Sequence, residues 1–182
     1  MSSTSDKTLI DCHVHLAALP DSDNGCYISP KTLKSPLFRF LLWKHGLSPD
    51  KPREANQKYL ADLLTELKAS RHVHKAVLLG MDGAYDHNGR YNQAHTDFLI
   101  GNDYVLKTAQ AHPTEFLAGV SINPQRRDAI DEVHRCADAG AILVMKARMK
   151  TRFGNSLQFW QPNYGSELVY KCGLELGPVV EK

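Results

Sequence analysis

No apolar run in this 182-residue chain approaches the roughly 18 residues of a membrane span, and residues 1–7 lack the basic start and apolar middle of a secretion signal. The chain is therefore expected in the cytoplasm, without a membrane partner. The four cysteines, Cys12, Cys26, Cys136 and Cys172, lie far apart with no CxxC pair. That spacing supports neither a disulfide framework nor a thiolate zinc knuckle. An excess of one charge is missing too: 22 Lys and Arg face 20 Asp and Glu, for a net charge of +2, so there is no electrostatic case for nucleic acid. Neither GxGxxG, nor a Walker-type loop, nor GxSxG occurs. Dinucleotide binding, P-loop phosphoryl transfer and serine hydrolase chemistry thereby lose their usual sequence support. Histidine, in contrast, is plentiful, with nine in all.

At 42% hydrophobic and 23% charged, the chain has the composition of one globular domain with a sizeable core. Residues 8–15 read as a first strand, left through Pro20 and a polar turn. Residues 21–52, rich in Pro and Gly, read as a long loop, with a short helix expected over residues 37–43. Tyr59, Leu60, Leu63, Leu64 and Leu67 recur at helical spacing and predict an amphipathic helix from Arg53 to about Ser70. The runs KAVLLGM (75–81) and FLAGVSI (116–122) have strand length and the continuous apolar character of parallel strands covered on both faces. Helices are predicted over 96–112, stopped by Pro113, and over 128–139, stopped by Gly140, before a fourth apolar strand at 141–144. Helix-sized crossovers between consecutive strands require parallel pairing, so the class is α/β. Beyond residue 146 no period is legible. Residues 147–182 are expected as an atypical tail with a possible fifth βα stub, following a domain over 1–146.

The chemistry concentrates in strand one. Alternation along a strand puts Asp11, His13 and His15 on one face and Ile10, Cys12 and Val14 on the other. Three ionisable groups on a buried sheet face are costly unless paired or ligated, and a metal removes that cost. Side chains two apart on a strand are near enough for two imidazoles to converge on one Zn²⁺, with Asp11 one pleat below to orient them.

With its neighbours, LIDCHVHL (9–16) resembles the first-strand metal motif of the amidohydrolase superfamily. KAVLLGMDGAYDHNGR (75–90), NDYVLKTAQAHPTEFLAGVSINP (102–124) and GAILVMK (140–146) resemble its amidohydrolase-related branch, which includes aminocarboxymuconate semialdehyde decarboxylase. The resemblance covers most of residues 8–146. It implies the N-terminal half of a (β/α)8 TIM barrel, with His13 and His15 as ligands of a divalent metal, most simply Zn²⁺, at the catalytic face. The activity it implies is hydrolysis or decarboxylation of a small organic acid, amide or lactone, expected to be impaired in this short form. Family members complete the site with a histidine after strand five, another after strand six and an aspartate after strand eight, and none of these can be placed here. Some superfamily members carry a carbamylated lysine near the position of Lys146, and Lys146 is accordingly a weak ligand candidate.

His87 and Arg90 follow the second strand on the catalytic side and are candidates for an anionic substrate. Arg126 and Arg127 are expected to be solvated, and His72 and His74 precede the second strand at the opposite end. Two other readings stay open. One is a TatD-like metal-dependent nuclease, whose first strand looks similar. The other is a half-barrel with no independent activity, expected to associate through exposed barrel edges.

Overall fold

The computed structural model describes residues 9–146, with side chains described as far as Ile142. Four parallel strands form the main sheet: β1 (Ile10–His15), β3 (Lys75–Leu79), β5 (Phe116–Ile122) and β6 (Leu143–Lys146), hydrogen-bonded in that spatial order. A helix links each strand to the next, namely α3 (Pro52–Ala69), α4 (Asn102–Ala111) and α5 (Ala129–Asp138). The α/β class expected from the alternating runs is what the chain adopts. Successive strands are spatial neighbours, and no strand is skipped among the described residues.

The core explains the apolar runs. Ala76 and Leu78 of β3 and Phe116, Ala118, Val120 and Ile122 of β5, all even-numbered, pack in one cluster with Val105, Leu106 and Ala109 of α4 and Val133 and Cys136 of α5. Tyr59, Leu60, Leu63, Leu64 and Leu67 of α3 pack against the same cluster, so the stripe read from the sequence is the buried face of that helix. All three crossover helices thus cover one face of the sheet. Odd-numbered Val77 and Leu79, also buried, belong to the other. On that face a Cβ at Gly119 would lie 2.6 Å from Leu79 Cδ2 and 2.8 Å from Val77 Cγ1, so glycine is what lets those side chains lie across β5.

The helix limits follow the residues that set them. Pro52 opens α3 at a position where its missing N–H costs nothing. Gly140, with φ at 92°, follows α5 in the left-handed conformation expected of a C-terminal stop.

Two expectations need correction. The helix predicted over 96–112 starts only at Asn102, because Phe98 and Leu99 form strand β4, which pairs antiparallel with β2 (Tyr27–Ile28). A partner about seventy residues away overrides local helical spacing. The loop at 21–52 is also more structured than its Pro and Gly content suggests. It holds β2, the short α1 (Pro30–Leu33) and α2 (Pro36–Lys44), the last coinciding with the short helix expected at 37–43. Leu19, Ile28, Leu42 and Ala55, with Leu33, Phe38, Leu47 and Phe98 against them, make a second small core under this segment.

Candidate functional site: a histidine pair at the end of the first strand

β1 enters the sheet beside β3, with His15 opposite Leu79 and Leu79 in turn opposite Gly119. The last turn of the strand is fixed from two sides. Leu16 N–H donates to the Leu79 carbonyl at 3.1 Å, and the Tyr59 hydroxyl of α3 donates to the His15 carbonyl at 3.0 Å. Held this way, His13 and His15 bring their Nε2 atoms to 3.1 Å, with ring centroids 4.9 Å apart and planes at 74°. Two donors at about 2.05 Å from a tetrahedral zinc stand roughly 3.3 Å apart, so the two imidazoles fit two positions of such a shell. Asp11, His13 and His15 are all exposed, so the buried face expected from the sequence is not found, because β1 is an edge strand among the described residues. Partial desolvation and then the neighbouring His13 lower the pKa of His15 below the usual imidazole value, which favours the neutral form that a ligand requires. Among the described residues no group of three His, Cys, Asp or Glu is placed to hold a metal ion.

Asp11 does something more local than orienting an imidazole. The ladder with β3 shifts register between Asp11 and Val14, which interrupts the strict alternation expected of the strand. The Asp11 carboxylate there accepts the backbone N–H of His13 at 2.9 Å. That bond steadies the irregular stretch from which His13 projects.

Beside His15 lies an apolar pocket of about 230 Å³ at the end of β1, walled by Leu19, Ile28, Phe38, Leu42, Met81 and Phe98. Its walls are largely the second small core. An apolar cavity of about 150 Å³ is enough for a benzene-sized guest, so this one has room for a ring or a branched chain next to the histidines.

The remaining candidates separate. His87 and Arg90 sit exposed on a turn closed by Asp86, whose carboxylate accepts the N–H groups of Asn88 and Arg90 at 2.8 and 2.9 Å. The His87 ring meets the Asn88 amide at 3.1 Å and interacts electrostatically with Asp86. Lys146 pairs with Ile122 at the C-terminal end of β6, and its side chain lies outside the described residues, as does the tail at 147–182. His74 stands at the opposite end of the sheet, where its Nδ1 accepts the Leu9 N–H at 3.2 Å.

Arg126 is the residue that sequence reasoning misplaced. Its side chain is only 16% exposed, and it grips Asp128 through two bonds of 3.0 and 2.9 Å. Asp82 lies 3.6 Å away, Glu132 3.8 Å away, and the Tyr85 ring 5.6 Å from its guanidinium carbon. Asp82, in turn, accepts from Gly83 N–H, Asn123 N–H and the Tyr85 hydroxyl. Among the described residues every buried side-chain nitrogen or oxygen has a hydrogen-bond partner. The network therefore ties the segments after β3 and β5 together. A basic pair in a Pro-containing turn carried no signal that three carboxylates, up to six residues further along or more than forty back, would converge on it.

Two of the thiols, Cys26 and Cys136, are poor nucleophiles. Burial pushes Cys26 up to about 11 and, with Glu132 beside it, Cys136 up to about 12, so both remain protonated near neutrality. Compared with protein-family models, curated proteins and solved structures, the chain matches none of them.

Proposed function

We propose that the chain is a metal-dependent hydrolase or carboxy-lyase of the amidohydrolase-related kind, acting on a small organic acid, amide or lactone in the cytoplasm. The observation that carries this reading is the 3.1 Å approach of the His13 and His15 Nε2 atoms at the C-terminal end of a parallel strand. In α/β sheets the carboxyl ends of the strands are where ligands bind. Strands added in sequential order, with the three crossover helices on one face, support the further reading of the sheet as the N-terminal half of a (β/α)8 barrel.

In this reading His13 and His15 hold the ion, Tyr59 and Asp11 hold the backbone that carries them, and the apolar pocket beside His15 seats the substrate's hydrocarbon part away from water. A divalent ion bound there supplies polarisation of a substrate oxygen or a bound water of lowered pKa.

Zinc titration by calorimetry tests the reading, followed by assays on carboxylic acids, amides and lactones alongside phosphodiesters. His13→Ala and His15→Ala are each expected to lower zinc affinity by more than tenfold, whereas His72→Ala leaves it unchanged. Zinc uptake indifferent to both substitutions, or turnover of phosphodiesters alone, overturns the proposal.

A further inference from the structure

Helix α2 is apolar on the side it turns to solvent. Phe38 and Leu42 point inward to the second small core and anchor the helix, as their four-residue spacing requires. Leu37, Phe40, Leu41 and Trp43 remain exposed, Leu37 at 69% and Trp43 at 74%. The Phe40 and Trp43 rings lie against each other with centroids 5.8 Å apart, so they present one aromatic surface. Leaving large side chains in water is unfavourable, and a contiguous patch of this kind marks a contact surface.

The charges around the patch indicate what covers it. Between Asp23 and Asp50 the chain carries Lys31, Lys34, Arg39 and Lys44 and not one Asp or Glu. All four cations are exposed, and none forms an ion pair among the described residues. Lys51 and Arg53, just beyond, are by contrast paired with Glu54 and Asp23. A second copy of the chain is a poor partner for this face, because a two-fold contact sets a patch against itself and would bring one group of four cations against another with no carboxylate of the segment between them. A surface that is apolar beneath and negatively charged above satisfies both halves of the patch at once. Trp, Phe and Leu enter the headgroup boundary, and Lys and Arg meet anionic headgroups.

We infer that α2 docks the protein peripherally on an anionic lipid surface, with Leu37, Phe40, Leu41 and Trp43 inserted and Lys31, Lys34, Arg39 and Lys44 against the headgroups. The residues that would meet the lipid are not those of the metal reading, although Phe38 and Leu42 on the inner side of the same helix wall the pocket beside His15. No helix among the described residues is long and apolar enough to cross a membrane, and docking of this kind requires none, so the inference replaces the expectation of no membrane partner with a peripheral one.

The test uses the full chain and vesicles of phosphatidylcholine with about one-third phosphatidylserine, beside vesicles of phosphatidylcholine alone. Sedimentation is expected with the anionic vesicles only. It should weaken by at least about tenfold when salt rises from about 0.1 to about 0.5 M, and equally in an Arg39→Glu/Lys44→Glu variant. Phe40→Ser/Trp43→Ser should abolish it with the far-UV circular dichroism unchanged. In a Trp160→Phe background, which needs no change in α2, Trp43 emission should shift to the blue on anionic vesicles and be quenched by brominated lipid. Equal binding to neutral vesicles, indifference to salt, or no binding at all overturns the inference. So does a dimer in light scattering that Trp43→Ser dissociates without any vesicle binding.

Discussion

Tyr59 and Glu132 show how single groups act at a distance from the residues a motif search would select. The Tyr59 hydroxyl reaches 3.0 Å to the carbonyl of His15, so it fixes the strand end without touching an imidazole. Tyr59→Phe keeps the ring in its place against the core and removes that bond together with the hydroxyl's contact with the Ala17 backbone. The expected outcome is a loss of about 1 kcal/mol in urea denaturation and a zinc affinity lowered severalfold, less than for His15→Ala. Glu132 is held by Arg135 at 2.7 and 2.9 Å and by the Asn102 amide at 2.8 Å. These partners, Arg135 first, pull its carboxyl from the usual 4.5 down to about 2. A carboxyl whose pKa is depressed on folding contributes stability that is complete above its unfolded value and is lost as pH falls toward the folded one. Denaturation midpoints should therefore fall between about pH 4.5 and pH 2, and Glu132→Gln should flatten that part of the profile.

At the scale of elements, β5 depends on a residue with no side chain. A Cβ on Gly119 would meet Leu79 Cδ2 at 2.6 Å, Val77 Cγ1 at 2.8 Å and the Leu78 carbonyl at 3.1 Å. The last of these is backbone and cannot swing away. Gly119→Ala is expected to cost about 1–3 kcal/mol, read as a lower urea midpoint with the slope unchanged. The same contacts couple β5 to β3 on the face of the sheet opposite the helices, beside the row that carries His15. A loss of zinc affinity in this variant, in parallel with stability, would follow from that adjacency.

Over the whole molecule, the sheet has an edge. Strand β1 pairs with β3 on one side and with no other strand among the described residues, and most of its residues are exposed. Unpaired N–H and carbonyl groups along an exposed edge invite another strand, which is the physical basis for expecting self-association. Light scattering after size exclusion should show oligomers that grow with concentration. Cys12→Lys places a charge in the middle of that exposed strand and should shift the chain toward monomer. An unchanged mass distribution in that variant would locate association elsewhere.

Wherever one period or one apolar run is the whole signal, the sequence by itself was enough. The runs at 75–81 and 116–122 became β3 and β5, the Tyr59-to-Leu67 stripe became the buried face of α3, and Pro52 and Gly140 mark helix ends because their backbone preferences are intrinsic. The spacing of His13 and His15 likewise placed two imidazoles within reach of each other. Tertiary structure decided what depends on partners distant in the chain. Phe98 and Leu99 became a strand because Tyr27 and Ile28 came to lie beside them. Arg126 became half-buried because Asp82, Asp128 and Glu132 neutralise it together. Asp11 turned to a backbone N–H because the ladder with β3 slips there by a residue. Local propensities are properties of a few neighbouring residues. Pairing, burial of charge and register are set by the free energy of contacts that exist only once the chain has folded.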